Sequence, residues 1–236
     1  MKKPGSHIFP AFLMVILIAA CTVSVPAREP VRRNAFFIGA GAAVPYSDFA
    51  GKSFTGRAGF AKTGVNLDAG VIRYGRRGIF GLYADAGYTH MFFHKKKYLA
   101  EYNSILGSEG TTTVTTEGYR FLKGEAGFLI RTVAILDTRF ILKAGVGYTL
   151  CRHPRLSASN TFWGDVNTIN SDLDMQISGT AGIRAEHDID ERTGIFLSYQ
   201  LFACKPDFRD TEGYRDYTFY LPVRYQQINL GVTKYF

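Results

Sequence analysis

Period-two alternation of apolar and polar residues, a strict sorting of short and long connections, and an apolar N-terminal run too short to cross a bilayer point to an all-β protein. The expected architecture is an eight-stranded antiparallel up-and-down transmembrane β-barrel preceded by a signal peptide. Composition agrees, with 25 Gly, 19 Phe and 14 Tyr against only 4 Met, a mixture that favours strands over helices.

The alternation is clearest over 139–151. There Phe140, Leu142, Ala144, Val146, Tyr148 and Leu150 share one parity, and Arg139, Ile141, Lys143, Gly145, Gly147 and Thr149 the other. The stretch 172–187 repeats it with Leu173, Met175, Ile177 and Ile183 against Asp174, Gln176, Ser178, Thr180 and Arg184. The stretch 79–93 does so with Phe80, Leu82, Ala84, Ala86 and Tyr88 against Gly81, Tyr83, Asp85, Gly87 and Thr89. Weaker runs at 35–44, 62–74, 118–131, 194–202 and 223–236 bring the number of candidate strands to eight.

Connections between these runs fall into two kinds. Gly75-Arg76-Arg77-Gly78, the stretch around Leu136, Asp137 and Thr138, and residues 188–193 are turns. Residues 45–61, 94–117, 152–171 and 203–222 are long and polar. Short and long alternate without exception, as in a barrel with one end in the periplasm and the other at the cell exterior. Within the second long connection, the Thr-rich piece 111–116 is expected to prolong the third and fourth strands of the barrel as a protruding ribbon.

The N-terminus reads as an export signal over residues 1–27. Lys2 and Lys3 precede the apolar stretch 9–20, which Pro10 interrupts, and small residues follow. Two processing points compete: Val25-Pro26-Ala27 suits cleavage after Ala27, whereas Ile18-Ala19-Ala20-Cys21 resembles a lipobox that would acylate Cys21. Cleavage after Ala27 is the expectation, since a barrel held through its wall gains little from a lipid anchor. A short segment, 28–33, then leads into a barrel over 34–236.

The formal charge of +8 is scattered, which disfavours nucleic acid as a partner. Its one dense run, His94-Lys95-Lys96-Lys97, reads either as a solvated loop base or as a contact to anionic head groups. No His, Cys or acidic cluster has ligand spacing, so no metal or other cofactor is expected.

At the C-terminus Ile228, Leu230 and Val232 alternate toward Phe236. With the strand pattern, this ending resembles the small eight-stranded outer-membrane barrels of the OmpA and OmpX type and the barrel-only proteins of Bacteroidetes type. The resemblance covers residues 34–236 and is one of pattern rather than of a diagnostic motif. It implies residence in the outer membrane as a monomer. The partners it implies are outer-membrane lipid and lipopolysaccharide, the barrel-assembly machinery, and an extracellular partner reached through the loops. Ile228, Leu230, Val232 and Phe236 would form the signal that the assembly machinery reads. Lys234, Arg224 and Gln226 depart from the pattern, calling for a bulge or for head-group placement of those side chains.

Eight strands enclose a space that side chains nearly fill, so a wide pore is not expected. Parity sends Asp68, Asp85, Glu125, Asp174 and Glu186 inward with Lys123, Arg139, Lys143 and Arg184. Buried charges require partners, and these nine are expected to form an ion-pair network that plugs the barrel. Aromatics near strand ends, Tyr74, Tyr88, Phe92, Phe93, Tyr148, Tyr199, Phe202, Tyr220 and Tyr235, are expected in interfacial girdles. Cys151 and Cys204 end strands with one strand between them, which sets their Cα atoms about 10 Å apart, beyond disulfide reach unless the loops curve.

Two other functional classes remain open. A soluble lipocalin-like binder would invert the faces and line its lumen with the apolar set, but Trp163 lies in a long connection and no Gly-x-Trp marks the first strand. A lipid-modifying barrel enzyme would draw on His94, His153 and Ser157, whose spacing suggests no nucleophile and base pair.

Overall fold

A computed structural model describes residues 34–236, apart from 53–58, 107–109, 133, 134, 136, 163, 170, 171, 213 and 214. The expected signal at 1–27, Cys21, the segment 28–33, Leu136 and Trp163 lie outside the described residues.

Each alternating run forms a strand, because an outward apolar face and an inward polar face can both be satisfied only by an extended chain in a closed sheet. The chain order is β1 (Asn34–Pro45), β2 (Ala61–Tyr74), β3 (Phe80–Phe93), helix α1 (Lys95–Leu106), β4 (Thr112–Thr116), β5 (Tyr119–Arg131) and β6 (Thr138–Arg152). It continues with β7 (Leu156–Asn160), β8 (Gly164–Ile169), β9 (Leu173–Asp188), β10 (Thr193–Cys204), β11 (Asp207–Glu212), β12 (Arg215–Tyr220) and β13 (Val223–Tyr235). Eight of them close a barrel in the order β1-β2-β3-β5-β6-β9-β10-β13, with β13 pairing back onto β1. Every pairing in the barrel is antiparallel.

Closure leaves the barrel sheet without a free edge, which is what a β-structure surrounded by hydrocarbon requires. One end carries the turns β2–β3, β5–β6 and β9–β10; the other carries the four long connections.

The long connections are not bare loops. A single 3-10 turn, Ser47–Ala50, follows β1, and α1 follows β3. The Thr-rich piece does not prolong β3 and β5 as expected. Its strand β4 pairs instead with β7 of the next long connection, in the three-stranded sheet β4-β7-β8, while β11 and β12 form a separate hairpin.

Inward side chains form three layers. At the turn end Phe37, Ile72, Tyr74, Tyr83, Leu129, Ile141, Phe196 and Tyr235 pack together. At the loop end Phe49, Tyr119, Phe121, Phe202, Phe208 and Tyr225 form a second apolar layer. Asp68, Asp85, Lys123, Glu125 and Lys143 occupy the level between with the amides Asn66, Gln227 and Asn229, while Glu186 and Arg139 lie among the turn-end residues, Glu186 in register with Phe196. Above the loop-end layer, α1 and β7 add a small cluster in which Tyr98 lies 5.3 Å from Phe60 and stacks on Tyr102 at 6.0 Å.

Candidate functional site

The outer wall settles which way the aliphatic parity points. Val65, Leu67, Val71, Leu82, Phe128, Val146, Ile177, Leu197 and Leu230 are all exposed on the outside of the closed sheet, Phe128 at 72% and Val146 at 68%. A monomeric soluble protein rarely shows an apolar surface of that extent; a belt of this kind belongs in hydrocarbon. The lipocalin-like reading needs the reverse, an apolar lumen.

The girdle expectation holds in part. Tyr88, Phe92, Tyr148 and Tyr220 are exposed and Tyr199 is half-buried, whereas Phe93 packs inward against the loop-end layer, its ring centre 6.4 Å from that of Tyr119. Tyr74, Phe202 and Tyr235 are instead buried and point into the barrel, where they belong to the two apolar layers. Their parity is the inward one; proximity to a strand end does not decide facing.

Inside, three charge groupings form. Asp68 accepts from Asn66 Nδ2 at 2.6 Å and Asn229 Nδ2 at 2.8 Å, and its other oxygen lies 3.1 Å from Lys123 Nζ. Lys143 bridges Asp85 and Glu125, lying 3.1 Å from Glu125 Oε1, which also accepts from Thr180 at 2.9 Å and Tyr83 at 3.0 Å. Glu186 sits 3.7 Å from Arg184 and accepts from Thr233 at 2.8 Å and from Tyr235. Arg184 is further sandwiched, its guanidinium 4.3 Å from the centre of Phe37 and 3.9 Å from that of Phe196. Such an arrangement answers the cost of burying charge.

Two placements differ from expectation. Arg139 pairs with Asp188, a residue the sequence puts in a turn. Asp174 stands apart from the lumen cations: it accepts from Gln176 Nε2 at 2.9 Å and from the backbone N–H of Asp207 at 2.7 Å, tying β9 to the last long connection. Period two tells which side Asp174 faces but not its height, and it lies toward the loop end, above the polar layer. The amides Asn66, Gln227 and Asn229, with Thr89 and Tyr83, belong to the network as well, and each carries the inward parity that could have identified it.

The packing leaves about 10 Å³ of free room among Phe37, Tyr83, Lys143, Arg184, Ser198 and Gln200, space for roughly one water. Glycines make the packing feasible. A Cβ at Gly145 would overlap the Tyr83 hydroxyl, and one at Gly87 would overlap both Asp68 Oδ1 and Lys123 Cε.

At the C-terminal strand Ile228, Leu230, Val232 and Phe236 all face outward, at 47%, 66%, 44% and 75% exposure. The register of β13 runs unbroken against both neighbours, so no bulge accounts for Arg224, Gln226 and Lys234. Arg224 and Lys234 lie on the outer face near opposite ends of the strand, and Lys234 Nζ donates to Thr193 Oγ1 at 3.0 Å.

The loop-end residues have local roles. His153 is buried against Tyr119 and Phe208, with ring centres 5.4 and 5.0 Å away, and its Nδ1–H donates to Pro154 O at 2.9 Å. Burial pushes its pKa down to about 4. Ser157 lies in β7, paired with Thr115. His94 precedes α1, and its carbonyl accepts from the N–H groups of Lys97 and Tyr98. Cys151 and Cys204 are buried free thiols whose Sγ atoms lie 3.7 Å apart. Inward side chains of a curved sheet converge toward the axis, so the sulfurs meet across β9, which a flat-sheet estimate of Cα spacing does not convey.

The belt, the closed sheet and the sorted connections make this a membrane-spanning barrel of the outer-membrane type. In fold it is similar to Neisserial surface protein A, at 11% identity, a TM-score of 0.46 and coverage of 86% of this chain and 97% of that one. It is likewise similar to Ail, the attachment invasion locus protein of Yersinia pestis (13% identity, TM-score 0.45, 86% and 98% covered). A third such structure is a major outer membrane protein from Thermus thermophilus (11% identity, TM-score 0.48, 86% and 99% covered). No family model and no curated protein matches the sequence.

Proposed function

We propose that the protein is an integral outer-membrane barrel of a Gram-negative cell with a structural or surface-contact role, exerted through a folded platform at the loop end. The observation that carries this reading is the contrast between the two parts of the molecule. The lumen is packed shut by two apolar layers around an ion-paired one, which suits neither a conduit nor a ligand cavity. The long connections are instead built into secondary structure, with α1, the sheet β4-β7-β8 and the hairpin β11–β12, an investment that a mere linker does not require.

Hydrolytic or acyl-transfer chemistry gains no support from the loop-end residues. His153 is held in an aromatic cluster and its Nδ1–H is engaged by Pro154 O, the environment of a core histidine rather than of a general base. The proposal extends to Ile228, Leu230, Val232 and Phe236 as the outward strip read during assembly.

Two measurements on one preparation test the proposal. Intact cells treated with protease should lose loop-end peptides while the barrel stays with the outer-membrane fraction, and the purified protein in planar bilayers should give no stable channel steps. Recovery in the soluble fraction, or reproducible porin-sized conductance, would overturn it.

A further inference from the structure

The first two long connections build a basic rim at one place on the barrel. Phe60 donates its N–H to Gly51 O at 2.9 Å, and Phe60 O accepts from the N–H of His94 at 2.7 Å. These bonds hold three stretches side by side: Lys52 follows Gly51, Lys62 follows Ala61 at the start of β2, and Lys97 lies in the first turn of α1. Lys52, Lys62 and Lys97 are all exposed. Their charges act together on His94, whose pKa is lowered first by burial and then by each of the three ammonium groups. Across the described residues of 45–62 and 94–104 there are five lysines, and the acids are Asp48 and Glu101.

The placement of Lys62 is the telling feature. Its number has the parity of Asn66 and Asp68, so an unbroken strand would turn it into the lumen. A register shift between Lys62 and Val65 interrupts the β2–β3 ladder, and both Lys62 and Thr63 come out exposed. The bulge therefore re-aims a lysine onto the outer wall. In register beside it stands Phe92, 48% exposed, and below on the same face lie Val65, Leu67 and Tyr88. Next along the rim Arg120 is already engaged by Glu117 at 3.1 Å. The wall thus passes upward from aliphatic to aromatic to cationic within a few residues, the lysines having no ion-pair partner among the described residues.

We infer that Lys52, Lys62 and Lys97 form a site for the phosphate of an outer-leaflet phosphoglycolipid of lipid A type, whose acyl chains lie along Val65, Leu67, Tyr88 and Phe92. A free anion would be met equally well by lysines anywhere on the rim. Only a phosphate joined to acyl chains requires a cation to stand directly above an exposed apolar wall, and the bulge puts Lys62 there. The inference rests on the outer-membrane reading above, with the loop end outermost.

Titration of the detergent-extracted full-length protein with diphosphoryl and dephosphorylated lipid A, read by native mass spectrometry, tests it. The diphosphoryl form should bind and the dephosphorylated form should not, a comparison that needs no variant. Lys52→Gln/Lys62→Gln/Lys97→Gln should weaken binding by roughly 100-fold, about fivefold for each charge lost. Arg76→Gln/Arg77→Gln at the opposite rim should leave it unchanged, and heat-modifiable gel mobility reports whether each variant is folded. Equal binding of both lipids, displacement by millimolar inorganic phosphate, or a triple variant that binds like the parent would overturn the site. Those outcomes leave protease access on intact cells untouched, so they are distinguishable from failure of the outer-membrane reading.

Discussion

Asp68 and Lys123 form an ion pair at 3.1 Å across a strand that contributes only a glycine between them. Asp68 on β2 is in register with Gly87 on β3, and Gly87 with Lys123 on β5. The missing Cβ is what lets the two side chains meet inside so narrow a barrel, where any larger residue would stand in the gap.

Gly87→Ala should therefore be destabilising, by about 1–3 kcal/mol, since the added carbon displaces a buried pair rather than a free surface chain. Gly124→Ala is the matched control, because a Cβ there meets nothing within 4 Å. Urea midpoints in detergent micelles should fall for the first and stay put for the second. Equal midpoints would show that the Asp68–Lys123 contact does not depend on the glycine.

Removing one member of that pair leaves the other as an unpaired buried charge. Lys123→Met and Asp68→Asn should each cost about 3–5 kcal/mol, and the double variant distinctly less than their sum. A double-mutant cycle in the same micelles measures the coupling; strict additivity would mean that the amides Asn66, Gln227 and Asn229 already satisfy each charge alone.

The barrel strands are legible in the sequence to within two residues at each end, because facing hydrocarbon on one side and a charged lumen on the other forces period two to be strict. Parity gives the side but neither the height nor the neighbour. That is why it groups Asp174 with cations it does not reach and leaves unnoticed that Asp188, at the edge of a turn, binds Arg139. Nearness to a strand end misplaces Tyr74 and Tyr235 in the lipid girdle for a similar reason, since it gives height without side. The β4–β7 pairing joins two connections some forty residues apart, with Thr112 opposite Asn160, and nothing local in a Thr-rich stretch names such a partner. The bulge at Lys62 breaks parity too, and there the lone Gly64 inside the strand is a local signal that the period-two reading passes over.

Val146 offers a direct test of the wall. It is 68% exposed at the middle of β6, opposite Ala126 and Gly179 in the two adjacent strands. In a bilayer Val146→Arg should cost about 2–4 kcal/mol and lower the folded fraction in lipid vesicles, while the same substitution at an exposed site on a water-soluble barrel would be nearly neutral. An unchanged folded fraction would remove the hydrocarbon belt from the account.

The loop-end layer should respond to acid through His153. Its imidazole is neutral in the folded protein, with burial pushing the pKa down to about 4, whereas an unfolded histidine takes up its proton near pH 6.5. Above that pH both states are neutral and His153 adds no pH dependence. As the pH falls from about 6.5 toward 4 the unfolded state binds a proton that the folded state refuses, so stability declines across that window, by roughly 3 kcal/mol at its lower end. The groups facing the ring include Tyr119, Phe208 and Pro154, with Asp172 close enough to favour the charged form slightly. Hydrogen-exchange protection of the loop-end segments should therefore drop between pH 6.5 and 4 in the parent and much less in His153→Phe, which keeps the aromatic packing without a titrating group. Carboxylates titrate alike in both proteins, so the difference between the two profiles isolates the histidine. Parallel profiles would show that acid sensitivity at this end arises elsewhere.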